Sequence, residues 1–325
     1  MGAPRKYMRH KSVLSVTMSV EQGLLLLSNP LCLLIIKSCL ARSSYLYKVD
    51  ICHFLVNSTH IHIVFVIINP DHAPKFVGHF KAEVAHRINI LFGWKKRTIW
   101  CEGYDSPVVL TPVRALVAIS YLYANPGKDN LEDSIDRFPG LSSWKMYQKG
   151  EHTKNWTFVR RPAFSCLPKD AHTLEGYTRE ARRIAASTKK THTFELKPDA
   201  WLDAFNMKDP EVKLLWNKRL YERVRTLEAR ARKLRTKQGK RVIGRDRLLR
   251  QPITFNFQSK RNGKRMWCLS EKRSVRIEFI KFFKGLLREA RDVYQRWHVG
   301  DYSVPYPPGL FPPAQPKLYE LITAW

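Results

Sequence analysis

Residues 60 to 68 read His-Ile-His-Ile-Val-Phe-Val-Ile-Ile, nine positions without a glycine, a proline or a formal charge. A run so rich in β-branched residues reads as a strand, and a strand sends alternate side chains to one face. His60 and His62 therefore point together, while Ile61 and Ile63 point into a core. The apolar run Val49 to Val56 precedes it, and joining the two through Asn57-Ser58 predicts a hairpin. Two imidazoles side by side can hold one divalent metal. Taken alone, such a pair is more commonly two polar residues on a solvated sheet face.

A second pattern lies about sixty residues on, at Tyr121-Leu122-Tyr123-Ala124-Asn125-Pro126. Pro112 opens a helical stretch over Val113 to Asn125, and residues four apart share a helix face. Tyr121 and Asn125 then stand together, one offering a phenolic oxygen and the other an amide carbonyl, and Pro126 is expected to stop the helix. Tyr123, Tyr104 and Tyr147 compete for the phenol's role. A tyrosine at a helix end is ordinarily a packing residue with its hydroxyl in water.

The remaining periodicities set the fold class. Leu14, Val16, Met18 and Val20 alternate with Ser15, Thr17 and Ser19, the period of a half-buried strand. Leu31 to Leu40, behind Pro30, is apolar around most of a helix. Between Pro74 and Leu91, Val77, Phe80, Val84, Ile88 and Leu91 recur at helical spacing, with Lys75, Lys81 and Arg87 on other positions. His79 and His86 in that helix read as surface or packing residues. Strand, helix, hairpin, helix, helix is an α+β order.

Order and spacing together resemble one family, the IS200-like or REP-associated tyrosine transposases, whose nuclease domain carries a histidine-hydrophobe-histidine motif. Phe54 to Val64 is similar to that family's strand, turn and motif strand, Ala73 to Phe92 to its next helix, and Thr98-Ile99-Trp100 to its short tryptophan signature. Tyr121 to Pro126 resembles the catalytic helix end, and Phe138 to Trp144 the serine pair that closes the domain. The resemblance covers about residues 10 to 147. Ser58 and Thr59 depart from it, standing where a proline and then an asparagine or acid are usual, and so do Cys101 and Glu102 after Trp100.

The resemblance implies a central antiparallel sheet with packed helices (a ferredoxin-like histidine-hydrophobe-histidine nuclease), a nuclease domain over 1–150, and a homodimer. It also implies Tyr121 as nucleophile, forming a 5′-phosphotyrosine link beside hairpin-forming repeats in single-stranded DNA. His60 and His62, with Asn125 as third ligand, would hold Mg²⁺ or Mn²⁺. Two alternatives stand beside this transposase reading: a replication initiator or relaxase with the same chemistry, and a domesticated hairpin-binding protein that no longer cuts.

Charge supports a polyanionic partner independently. The chain carries 57 basic and 28 acidic residues, a net +29. Residues 1–150 hold 18 basic against 10 acidic, and 151–325 hold 39 against 18, so the excess is +8 in the first part and +21 in the second. The second part reads as a basic, largely helical extension that grips DNA. Lys218 to Arg250 contains 14 basic residues against three acidic ones, with Leu220, Val224, Leu227, Ala231 and Leu234 at helical spacing up to about Lys237 and Gly239 and Gly244 as breakers. The candidate DNA contacts there are Arg219, Arg223, Arg230, Lys233, Lys237, Lys240 and Arg241. Lys260, Arg261, Lys264 and Arg265 join them at the tip of a hairpin whose strands are expected over 253–257 and 266–269, turning at Asn262-Gly263. A last amphipathic helix is expected over Ser274 to Trp297, then a Pro-rich tail packing Tyr306 and Phe311. Trp94, Trp100, Trp144 and Trp156 could stack bases but are assigned no such role. Leu24 to Ile36 is too short and too interrupted to span a membrane. Nor does that stretch read as a signal peptide, so a cytoplasmic, nucleoid-associated protein is expected. The six cysteines form no C-x-x-C pair, so no zinc ribbon is indicated and reduced thiols are expected.

Overall fold

The computed structural model describes residues 6–21, 24–25, 29–159, 173–252 and 266–316. Strand β1 (Val13–Ser19) leads through α1 (Pro30–Leu46) to β2 (Asp50–Val56) and β3 (His60–Val66), then through α2 (His72–Leu91) to β4 (Val108–Val109). Helices α3 (Pro112–Lys128) and α4 (Trp144–Gln148), strand β5 (Thr153–Thr157), α5 (Leu174–Ser187) and β6 (Thr191–Glu195) follow. The chain continues with α6 (Ala200–Ala204), α7 (Pro210–Lys237), α8 (Arg245–Arg250), β7 (Cys268–Leu269) and α9 (Arg273–His298).

The protein is α+β, with a mostly antiparallel central sheet in the order β2-β3-β1-β4-β7. The first four strands and two helices trace the split βαβ arrangement of ferredoxin-like folds. β3 lies antiparallel between β2 and β1, with His62 opposite both Leu55 and Thr17, and His60 opposite Ser19. β7 pairs in parallel with β4, so the extension supplies one edge of the sheet. A separate two-stranded sheet, β5-β6, packs on α1, its Trp156 and Phe194 rings stacked at 4.3 Å.

Three helices begin with one device, a polar cap followed by proline. Asn29 Oδ1 accepts from the Leu31 N–H at 2.9 Å, Thr111 Oγ1 from Arg114 at 3.3 Å and Asp209 Oδ1 from Glu211 at 2.8 Å, each ahead of a proline that has no N–H to satisfy. At its other end α3 corrects the expected stop at Pro126 and runs on to Lys128. Pro126 deletes one hydrogen-bond donor, but the next residues recover the turn, with Asp129 N–H donating to Asn125 O at 2.9 Å.

Strand alternation sorts the core into two layers. Leu14, Val16, Met18, Phe54, Ile61, Ile63 and Phe65 face α1 and α2, against Leu31, Ile35, Phe76, Phe80 and Val84. Val13, Leu55, Val64 and Val66 face α3, Trp144, Trp201 and the Leu220–Val224 stretch of α7. The placement of Arg87 away from the core is corrected: it is 1% exposed. Its guanidinium donates to Glu83 Oε2 at 2.9 Å and Ser38 Oγ at 3.2 Å, and those partners offset the cost of burying the charge. His79 is bonded to Ser43 Oγ at 2.8 Å and His86 is exposed, both on the α2 side. Trp100, Trp144 and Trp156 are buried packing residues. The strand expected over 253–257 and its turn lie outside the described residues. The tail packs Tyr306 on Trp297 at 5.5 Å, while Phe311 is exposed.

Candidate active site

The alternation that buries Ile61 and Ile63 under α1 and α2 puts His60 and His62 on the α3 side of the sheet. Their rings sit edge to face, 4.5 Å between centroids. Each has a hydroxyl at Nδ1: Thr17 Oγ1 is hydrogen-bonded to His62 Nδ1 at 2.9 Å, and Thr59 Oγ1 to His60 Nδ1 at 3.2 Å. With Nδ1 carrying the proton, each ring offers its Nε2 lone pair. The His62 Nε2 is buried and has no hydrogen-bond partner among the described residues.

Burial holds His62 well below the ordinary histidine range, helped by the charges of His60 and Lys128. Burial also lowers His60, with Asp129 opposing and Lys128 adding to it. Both imidazoles are therefore neutral at pH 7, the form that binds a metal. An orphaned buried nitrogen, neutral rings and hydroxyls that orient them suit a divalent cation. Among the described residues no trio of histidine, cysteine, aspartate and glutamate gathers, so further ligands would come from amide, water or phosphate oxygen.

The end of α3 frames this pair. Asn57 Nδ2 donates to Asp129 Oδ2 at 2.9 Å, and the Asn57 N–H donates to His60 O at 2.9 Å, which ties the start of β3 to the residue after α3. The same helix end carries Tyr121, 45% exposed, with Lys128 Nζ 3.6 Å from its ring centroid. Lys128 thus touches the phenol and biases both histidines. Asn125, 3% exposed, lies one turn on from Tyr121.

Two of the three competing phenols have bonded hydroxyls. Tyr123 is fully buried, its hydroxyl 2.7 Å from His53 Nδ1 and 2.7 Å from Ser143 Oγ, and burial pushes it well above the usual tyrosine range. Tyr147 donates to Asn217 Oδ1 at 3.0 Å, and Lys6 sits 3.0 Å over the Tyr104 ring. Ser143 also accepts from Phe54 N–H at 2.8 Å, and Leu141 O accepts from Val56 N–H, so residues 141–143 line the outer edge of β2. Gly140 permits that approach, since a Cβ there would lie 2.3 Å from the Phe138 ring and 2.9 Å from Val56 O.

One face of α7 clamps α3. Arg235, 5% exposed, donates to Gly127 O at 3.1 Å and pairs with Asp133, while Glu228 Oε1 accepts from Ile135 N–H at 2.7 Å. Arg219, Arg223, Arg230, Lys233 and Lys237 are exposed on the same helix, as are Lys240 and Arg241 after it. Lys260, Arg261, Lys264 and Arg265 lie outside the described residues. In the sequence Thr17 reads only as a polar strand position, and Lys128 and Asp129 carry no signal. The pairing of Thr17 with His62 follows from strand register, which no local pattern discloses.

No protein-family model and no curated protein matches the chain. Among solved structures it is similar to a REP-associated tyrosine transposase bound to a REP hairpin, at 16% identity and a TM-score of 0.40, over 46% of this chain and 86% of that one. What the site can do is set by this chain's own side chains.

Proposed function

We propose that the chain is a metal-dependent nuclease and strand transferase that cuts single-stranded DNA beside a hairpin and holds the cut end on Tyr121. The observation that carries this reading is the edge-to-face pair of His60 and His62, with the His62 Nε2 buried and unpartnered among the described residues, together with an exposed Tyr121 under Lys128 on α3. His60 and His62, with Asn125, would hold Mg²⁺ or Mn²⁺, which supplies charge neutralisation at the scissile phosphate.

Tyr121 Oη attacks phosphorus as the bond to the 3′-oxygen breaks. The phenol gives up its proton, the departing 3′-oxygen gains one, and a 5′-phosphotyrosine remains with its ester energy kept for rejoining. The Lys128 ammonium over the ring favours negative charge on the phenol as it develops. The buried Tyr123 holds β2 and residue 143 together and takes no part. Residues 1–150 carry the chemistry, and 151–325 add backbone grip through the exposed basic face of α7, a sequence-independent contribution that salt weakens.

The test is incubation of end-labelled hairpin oligonucleotides, single-stranded flank included, with Mn²⁺ or Mg²⁺. A denaturant-resistant protein–DNA adduct is expected from the wild type and none from Tyr121→Phe. Tight hairpin binding with neither adduct nor cleavage would replace this reading with a non-cutting hairpin-binding protein.

A further inference from the structure

On the opposite side of the sheet from His60 and His62, positive groups from three elements converge on one ring. Phe158 has Arg42 Cζ of α1 at 5.2 Å from its centroid, Arg87 Cζ of α2 at 5.6 Å and Lys190 Nζ, just ahead of β6, at 5.1 Å. The His192 ring meets it edge to face at 4.9 Å. Glu83 pairs with Arg87. Three buried nitrogens in this cluster, Arg42 Nε, Arg87 Nε and His192 Nε2, have no hydrogen-bond partner among the described residues.

Glu83 neutralises only one of these three cations, and the ring alone does not satisfy their donors. Each is drawn to the π face, but they repel one another, and cation–π contact leaves N–H donors unused. The repulsion is felt at His192, whose protonation is suppressed by burial and then by Arg42, Lys190 and Arg87. An oxyanion would satisfy the donors and the charges at once, as arginine does in phosphate recognition. Beside the cluster, Tyr45 is 59% exposed, 5.8 Å from the His192 ring, with Lys48 Nζ 5.0 Å over it. An exposed ring next to a cation cluster matches a base attached to a phosphate.

We propose that Arg42, Lys190 and His192, backed by Arg87, bind a phosphate oxyanion, and that Tyr45 stacks the base of a nucleotide carrying it. This site does not depend on the chemistry at Tyr121.

The test titrates His192 by NMR in the full chain labelled at histidine, its resonance assigned with His192→Gln. The probes are inorganic phosphate, thymidine 5′-monophosphate and a thymidine tetranucleotide, at constant ionic strength. Phosphate is expected to raise the His192 midpoint by about one unit. Arg42→Gln and Lys190→Gln should each weaken that response several-fold. Tighter binding of the nucleotides, lost in Tyr45→Ala, would assign the phosphate to nucleic acid, and equal binding of all three probes would assign it to the free ion. The proposal fails if no probe moves His192. It also fails if the shift persists in both variants at wild-type Tm, and the exposed position of Lys190 keeps that arm usable if Arg42→Gln folds poorly.

Discussion

The two faces of the central sheet are built from the same strands yet are opposite in character at the His60 end. Under α1 and α2 the strands present Met18, Val16, Ile61 and Ile63, and the layer is dry to its end. Under α3 the matching positions are Ser19, Thr17, His60 and His62, followed only further along by Val64 and Val66. The second face gives up roughly 1.5–3 kcal/mol for each apolar side chain it omits, on general grounds of burial. At this end of the sheet apolar packing lies on one face and the candidate site residues on the other, so each can be perturbed separately.

The sharpest way to break the comparison is Tyr121→Phe. It should abolish the DNA adduct, a loss of at least about 10⁴-fold typical of a deleted nucleophile. Because the side chain is exposed, Tm should stay unchanged in thermal melts. Phe80→Ala, on the dry face, should do the reverse, costing about 3–5 kcal/mol in urea unfolding while cleavage per folded molecule persists. If Phe80→Ala removed activity while fully folded, the separation of the faces would be wrong.

Two smaller effects sharpen it. Thr17→Val keeps the shape but removes the hydroxyl at His62 Nδ1, and Mn²⁺ affinity should fall about 10- to 100-fold in calorimetric titration. Acid tests the buried His53, held down to about 3 from 6.5 by burial. The folded state binds fewer protons at this residue than the unfolded chain below pH 6.5, so stability present above 6.5 drains away as pH falls toward 3. Between pH 6.5 and 5.5 the loss should be about 1 kcal/mol from this group, and His53→Gln should flatten that slope in melts. The same direction at His60 and His62 puts the acidic limb of any metal-dependent activity below pH 6.5.

Much of this was legible in the residues. Alternation at Leu14 to Val20 and at His60 to Ile63, and helical spacing across Val77 to Leu91, arise from burial on one face, and they gave strand, helix and the pairing of the histidines. The long basic helix ending at Lys237 was legible for the same reason. What escaped was set by tertiary contact. Arg87 looked solvent-facing because charge ordinarily means exposure, and only Glu83 and Ser38 beside it make burial tolerable. β4 is two residues long, too short to carry a period, whereas β7 falls within the strand expected over 266–269. Tyr121 and Tyr123 look interchangeable on paper, and their burial separates them.

The parallel pairing of Val108 with Cys268 also has a consequence in time. The two positions are 268 − 108 = 160 residues apart. At a synthesis rate of roughly 5–20 residues per second, roughly 8 to 32 s elapse between their emergence. Throughout that interval the ribosome-bound chain presents the outer hydrogen-bonding groups of β4 without the strand that finally covers them. Completion of this edge is therefore clocked by translation, and a chaperone that shields that rim is most useful to the nascent chain then.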